Sequence, residues 1–444
     1  MTSPNDHPLH RLPKYGDGIG LHRVRFLMEA CGIDESEVSR RAIAVTGSNG
    51  KGSTARIASE LMGAVGGDVG LFTSPHLYRY NERFRLNGVP AADADLVAAM
   101  DRVLVAVDAY RARHDDAIGA FEAQFVVALV LFLARECRWL VCEAGIGGRY
   151  DPVRAARAPV AGLVSLDLEH TELLGRTLLD IALDKLDATP AGGVAVLGES
   201  CLPFAEQIRS FAALSDIAVE FVQPDGWRDH GVRDGWQMFD IADGDSVLDG
   251  LRSRLVGRHQ INNHAVALAL CRERLKRSGM WPLPGIETRW RAAIARVTWP
   301  GRLECIGDDP LVVIDVGHTP EGIKSALAGF RALAGERDAI LVTGGSKNKH
   351  VREMLEILAP GFDRIICAAA YHNGLAASEV KALVQAINPH AASTVCATIE
   401  NAVACARAET ERSGCAVYVA GGLFLAAEFA EGWRGGAPAK LRFF

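Results

Sequence analysis

The sequence has no CxxC pair, no low-complexity tract, no fixed-period repeat and no excess of basic charge. Each absence excludes something. Cysteines stand singly at 31, 137, 142, 201, 271, 305, 367, 396, 405 and 415, most of them in apolar runs where a thiol behaves as a small hydrophobe. That scatter suits neither a disulfide scaffold nor a structural zinc site, and it points to a reducing cytoplasm. The longest apolar run, 125–134, falls short of the roughly 20 residues a membrane span needs. Met1-Thr2-Ser3-Pro4-Asn5-Asp6 lacks a charged start followed by an apolar core, so no signal peptide is expected. Lys and Arg total 48 against 54 Asp and Glu, a net charge of −6. Such a chain has no global electrostatic reason to coat nucleic acid or an anionic membrane. The expected partners are small molecules and the expected state is a monomer.

What is present is ample material for a core. Of 444 residues, 49% are hydrophobic and 23% charged, enough for two or more globular domains at roughly 100 to 200 residues each. Short β-branched runs at 42–46, 139–143, 160–166, 194–197, 311–316, 339–343, 364–370 and 416–420 alternate with helical patterns at 53–65, 121–137, 262–276, 321–333, 351–358, 377–386 and 400–412. Strands apolar on both faces, separated by helices, predict parallel sheets covered on both sides, an α/β architecture. Pro300 and Gly301 break the periodicity after a helical stretch ending near Arg296. They predict a domain of residues 1–297 followed by a smaller one of residues 298–444. The stretch 225–250, rich in Asp, Gly and Trp, reads as an irregular or antiparallel insertion.

The strongest local signal follows the first strand. Ala42-Ile43-Ala44-Val45 runs into Thr46-Gly47-Ser48-Asn49-Gly50-Lys51-Gly52-Ser53-Thr54 and then a helical pattern. Glycines let backbone N–H groups turn toward phosphate oxygens, and the helix N-terminus adds partial positive charge. Lys51 can reach terminal phosphates, and Ser53 or Thr54 can ligate Mg²⁺. A tight strand–helix turn alone needs glycine but no lysine, so nucleotide binding is the better reading.

This loop resembles that of the Mur ligase superfamily, and specifically of the folylpolyglutamate synthase and dihydrofolate synthase family. Further segments match that family in order: Gly70-Leu71-Phe72-Thr73-Ser74-Pro75-His76-Leu77, Glu143-Ala144-Gly145-Ile146-Gly147-Gly148-Arg149-Tyr150-Asp151, and Asp167 to Gly175. His259-Gln260-Ile261-Asn262-Asn263, Pro300-Gly301-Arg302-Leu303-Glu304 and Asp315-Val316-Gly317-His318 complete the set. The resemblance implies an N-terminal P-loop domain of the Mur ligase central type and a C-terminal Rossmann-like α/β domain, with ATP between them. It implies an ATP- and Mg²⁺-dependent, ADP-forming ligase of folate biosynthesis and one-carbon metabolism. Such an enzyme activates a carboxylate as an acyl phosphate and joins it to an amino acid, here glutamate onto a folate or pteroate.

By the same resemblance, Gly47, Asn49, Gly50, Lys51, Gly52, Ser53, Thr54, Asn263, Arg302 and Asp315 hold the nucleotide. Ser74, Glu143, His170 and Lys185 serve two Mg²⁺ ions, with Lys185 carbamylated by CO₂ so that a cation becomes an anionic ligand. Lys51, His170, Lys185 and His318 carry the catalytic roles, His318 on the amine side. Other readings of individual residues are an exposed helix lysine for Lys185, a helix-capping Asp315, and an Asn N-cap for a helix at 262–276.

Three places depart from the family pattern, all on the amine side. Thr319 stands where the family has Asn, Gly421-Gly422-Leu423 where it has "GSL", and Lys347-Asn348-Lys349-His350 where it has an acidic stretch. Restoring the hydroxyl at 422 is therefore expected to improve glutamate use. The alternatives are a ligase of the same mechanism acting on another acid and amine, and a P-loop NTPase or kinase without ligation, which would release ADP with no need of an amine.

Overall fold

The computed structural model describes residues 4–243, 246–347 and 350–443. Asn348 and Lys349 of the departing stretch lie outside the described residues. The strands in chain order are β1 (Ala42–Thr46), β2 (Val69–Phe72), β3 (Phe84–Leu86), β4 (Val89–Pro90), β5 (Trp139–Glu143), β6 (Val160–Leu163), β7 (Val194–Leu197) and β8 (Ala218–Phe221). They continue as β9 (Trp227–Arg233), β10 (Trp236–Asp243), β11 (Ser246–Ser253), β12 (Glu304–Asp308), β13 (Leu311–Asp315), β14 (Ala339–Thr343), β15 (Arg364–Ala368), β16 (Ala392–Cys396) and β17 (Ala416–Ala420).

Among the described residues they form three sheets. The first has the order β4-β3-β2-β5-β1-β6-β7-β8 and is parallel apart from the β2–β3–β4 edge. β1 and β5 at its centre are buried along their whole length, as strands covered on both faces must be. One face carries the helix Ala120–Ala134, whose Phe125, Val126, Leu129 and Phe132 are all buried. The other carries the helices Lys51–Val65, Arg258–Arg277 and Ile286–Arg296. A small antiparallel sheet β11-β10-β9 accounts for the Asp-, Gly- and Trp-rich stretch and packs Phe239, Ile241, Leu248 and Leu251 into that second core.

After the Pro300-Gly301 break a six-stranded sheet follows in the order β12-β13-β17-β14-β15-β16, parallel except for β12. It is buried between the helices Pro320–Ala334 and Val351–Leu358 on one face and Ile399–Ser413 and Leu423–Trp433 on the other. The molecule is thus an α/β protein of two parallel-rich sheets, as its sequence predicts. Four differences stand out. The strand expected at 160–166 ends at Leu163, and β2, β3, β4, β8, β12 and β16 appear where no strand is expected. The phosphate-loop helix starts at Lys51 rather than at 53. The helix expected from 262 begins at Arg258, with Gly257 as its N-cap. Asn262 and Asn263 therefore sit inside the helix and do not cap it.

The two sheet units touch beyond the linker. Residues 441–443 return to the first unit, where His76 Nε2 lies 2.7 Å from Arg442 O and Arg83 Nη2 donates to Phe443 O at 3.5 Å. The Phe443 ring sits 4.8 Å from both His372 and Phe424 in the second unit. No described helix is long and apolar enough to cross a membrane.

Candidate active site at the phosphate loop

In a parallel sheet the strand C-termini converge on the loops that bind ligands. β1 delivers Thr46 to such an edge, and the chain turns through Gly47 (φ 147°) and Gly50 (φ 81°) into the helix Lys51–Val65. Gly50 is required twice over. Its φ is left-handed, and a Cβ there would stand 2.5 Å from Asn263 Oδ1. The loop is tied down from β6's end, since Ser48 N donates to Ser165 O at 2.9 Å and Asn49 N to Ser165 Oγ at 2.8 Å. Ser48 Oγ donates to Asp167 O at 3.2 Å and accepts from Asp167 N at 3.0 Å. The N–H groups of the helix's first turn have no intrahelical acceptor, which makes them natural anion donors. Lys51 folds back over the loop, its Nζ 2.6 Å from Gly47 O and 3.1 Å from Ser48 O. Thr54 Oγ1 is buried without a hydrogen-bond partner.

β5, the neighbour of β1, ends in Glu143. Its carboxylate is buried and accepts from Ser74 N at 2.9 Å. Burial pushes its pKa up to about 7, against the opposing pull of Lys51, the Ser74 N–H, Arg302 and Arg83. A Cβ on Gly52 would lie 3.5 Å from both Glu143 oxygens and 3.2 Å from Trp299 Nε1, so only glycine keeps the space between loop, carboxylate and indole open. The structure therefore gathers Lys51, Gly52, Ser74, Glu143 and Arg302 at one place. Asp151 shapes the adjoining turn, accepting from Gly145, Ile146 and Val153 N–H groups at 2.8 to 3.0 Å.

Lys185 is buried on the helix Leu178–Leu186, not exposed, and its Nζ donates to Glu169 Oε1 at 2.9 Å. Burial, then the charge of Lys51, lowers its pKa, with Glu169 acting in the opposite sense. Lys51, Lys185 and Ser48 hold the Glu169 carboxyl below its ordinary value in spite of burial. Glu169 thus belongs to the same cluster, while its neighbour His170 is exposed in a left-handed conformation (φ 46°) before the short helix Thr171–Leu174. Among the described residues no three His, Cys, Asp or Glu side chains already converge as a metal cage.

From the long helix, Asn263 lies against Gly50 and donates to Gln260 Oε1 at 2.9 Å, while Asn262 bridges Glu199 N and Val164 O. His259 is held neutral, its pKa pushed down to about 4 by burial and then by Arg302.

The second unit closes the site. Thr319, the residue that replaces the family's Asn, caps the helix Pro320–Ala334 by accepting from Gly322 N at 3.2 Å. A Cβ on Gly322 would be 4.0 Å from Asn49 Oδ1, so this helix N-terminus faces the phosphate loop. Asp315 does not cap that helix. Its oxygens accept from Leu303 N at 3.1 Å and Gly317 N at 2.7 Å, which pins the chain around Arg302. His318 is exposed beside it, its Nδ1 3.4 Å from Val316 O. Gly422 starts the helix Leu423–Trp433 with φ 123°. A serine there would be strained whatever it touched, so restoring the hydroxyl sets a backbone cost against the expected gain in glutamate use.

Sequence reasoning missed four contributors. Arg83 is a buried guanidinium near Glu143, its Nε 2.9 Å from His76 Nδ1 and its Nη1 3.2 Å from Gln124 Oε1. Trp299 walls the loop, Ser165 anchors it and Glu169 holds Lys185. Only Glu169 carried a local signal, an acid amid Asp167 and His170 just after a strand.

Comparison with known proteins places this geometry. Residues 301–423 match the family described as Mur ligase, glutamate ligase domain. The folylpolyglutamate synthase of Lacticaseibacillus casei is 32% identical over 366 residues, covering 81% of this chain and 82% of that one. A solved Mycobacterium tuberculosis folylpolyglutamate synthase complexed with ADP superposes with a TM-score of 0.84 at 25% identity, covering 95% of this chain and 96% of that one. Escherichia coli FolC in complex with DHPP and ADP gives 0.79 at 25% identity, covering 95% of each chain. With its phosphate loop, strand-end glutamate and second α/β unit in the same order, the chain belongs to the folylpolyglutamate synthase and dihydrofolate synthase family of Mur ligases.

Proposed function

We propose that this protein is an ATP-dependent, ADP-forming ligase that joins glutamate to a folate or pteroate, working as a monomer in the cytoplasm. The observation that carries the reading is the meeting of Lys51, Glu143 and Arg302 at the mouth of a phosphate loop faced by the second unit's helix N-terminus. Residues 1–297 form the nucleotide-binding part and residues 298–444 the ligase part.

In this reading the helix N-terminus at Lys51 and the Lys51 ammonium, once it leaves the Gly47 and Ser48 carbonyls, bind the terminal phosphates. Gly47, Asn49, Gly50, Gly52, Ser53 and Thr54 shape the cradle, and Asn263 borders it on the nucleotide side. Arg302, aimed by the Asp315 clamp on Leu303, supplies positive charge to the transferring phosphoryl group. The acceptor's carboxylate oxygen attacks the γ-phosphorus as the bond to the bridging oxygen of ADP breaks. Arg83, a buried guanidinium near Glu143, is suited to orient that carboxylate. The amine nitrogen then attacks the acyl carbon, the carbon–oxygen bond to phosphate breaks, and the amine gives up a proton, with His318 on that side. Trp299 and the facing helix exclude water that would hydrolyse the acyl phosphate.

The donor set fits Mg²⁺. Glu143 is a buried carboxylate with a raised pKa, which is to say short of positive charge, and Ser74 is a hydroxyl neighbour, both hard oxygen donors. His170 and Lys185 would complete the two sites, Lys185 as its carbamate, and the lowered amine pKa favours the neutral form that reacts with CO₂. When bound, the metal supplies charge neutralisation at the phosphate oxygens.

The test is ADP release and product mass measured across pteroates, folates and unrelated acids with glutamate as the amine. A mass gain of one glutamate on a folate or pteroate, abolished by Lys51→Ala, is expected. ADP release without any requirement for an amine would overturn the ligase reading.

A further inference from the structure

β5 carries Glu143 at one end and Trp139 at the other, so the far end of this strand is roughly 13 Å from the nucleotide site at about 3.3 Å per residue. There a cavity of about 420 Å³ is lined by Arg40, Arg41, Arg138, Arg274, Trp139 and Glu136, among others. The lining guanidiniums outnumber the acids. Glu136 is the one acid in the wall, while Glu37 pairs with Arg41 and Asp34 faces Arg40 from outside it, which leaves Arg138 and Arg274 without an acid of their own.

Arg274 is the telling residue. It is only 4% exposed, its Nη1 donates to Ser278 Oγ at 2.5 Å, and its Nε is buried with no hydrogen-bond partner. No carboxylate among the described residues pairs with it. Burial, then Arg277, pulls its pKa down to about 10, so it stays charged at neutral pH. A charge removed from water without a counter-ion is costly. The Trp139 ring, 5.2 Å from Arg274 and 5.0 Å from Arg138, offers each a cation–π contact of about 1 kcal/mol and leaves the net charge untouched. Arg138 has no acid either, and its Nη2 reaches only Met280 Sδ at 3.1 Å. Two guanidiniums against one indole, both lacking carboxylates and both opening on one cavity, form a fork suited to phosphate oxygens.

We infer that this cavity is a second binding site, separate from the phosphate loop, that takes a small phosphorylated anion with its phosphate or diphosphate group between Arg274 and Arg138.

The experiment is calorimetric titration of inorganic pyrophosphate into the whole chain already saturated with ADP, which fills the phosphate loop. One-to-one binding that weakens with added salt is expected, and it should persist in Lys51→Ala. Arg138→Gln, an exposed substitution that leaves the fold alone, should weaken it at least tenfold, and so should Arg274→Gln. Absence of binding to the ADP-saturated protein would overturn the inference. So would unchanged affinity in Arg138→Gln, or loss of binding in Lys51→Ala, which would assign the anion to the phosphate loop.

Discussion

His264 gives the chain an acid-sensitive core that can be weighed in advance. The residue lies in the helix Arg258–Arg277 with no exposed surface, its Nδ1 2.7 Å from Gln260 O and its ring 5.0 Å from Phe239. Nε2 is buried without a partner, so a proton there has nothing to bond. Burial lowers the pKa to about 4 from an ordinary 6.5. The folded state therefore binds fewer protons than the unfolded chain between these values. Stability from this group is fully present above pH 6.5 and is lost as the pH falls toward 4. Each unit of pKa difference is worth about 1.4 kcal/mol, so between pH 7 and pH 5 the group removes about 2 kcal/mol. That is a sizeable share of the roughly 5 to 15 kcal/mol typical of a domain. His264→Leu keeps the volume near constant and abolishes the titration. Urea unfolding followed by circular dichroism at pH 7, 6 and 5 should show wild type losing about 2 kcal/mol more than the variant over this range. Parallel pH curves for the two proteins would refute the reasoning.

Gly50→Ala should fold but bind ATP at least a hundredfold more weakly, because its Cβ drives into Asn263 and the left-handed turn is strained; wild-type affinity by calorimetry would contradict this. Lys185→Ala should lose activity that bicarbonate or a short carboxylate partly restores. A carbamate ¹³C resonance from labelled bicarbonate should be present in wild type and missing in the variant, and its absence from wild type would remove the carbamate. Gly422→Ser should lower the melting temperature through strain of about 1 kcal/mol or more at φ 123°, with no gain in glutamate use; improved glutamate kinetics would show that the hydroxyl outweighs the strain. Glu169→Gln should take from the uncarbamylated Lys185 its ion-pair carboxylate, with Asp184 the acid that remains nearby, and lower the thermal unfolding transition measured without bicarbonate, whereas an unchanged transition would show that the pair adds nothing.

How much of this could be read beforehand depended on how local the physics was. The phosphate loop was legible because its determinants, two glycines that turn the backbone and a lysine at the helix start, are neighbours in sequence. Glu143 was legible because a carboxylate closing an apolar strand is conspicuous. Arg83 and Trp299 were not, for their meaning comes from which elements the fold lays beside Glu143 and Gly52. β2 is only four residues long and contains Gly70, while β8 and β16 are sheet edges with mostly unburied side chains, so none shows a clear apolar run. Asn262 and Asn263 resembled a cap because capping residues favour helix starts. The helix begins earlier at Gly257, whose φ of 113° suits the preceding turn.

The chain's return at residues 441–443 reinforces a junction already made elsewhere: Leu77 packs into one core of the second unit and Val256 into the other, and Tyr78 Oη donates to Glu304 Oε2 at 3.4 Å. Phe443 spans that junction with a single residue, its carbonyl accepting from Arg83 of the first unit while its ring lies against His372 and Phe424 of the second. A rivet of this kind ties the buried cation beside Glu143 to the far unit, so clipping the ring, as Phe443→Ala would, slackens Arg83 together with the seam.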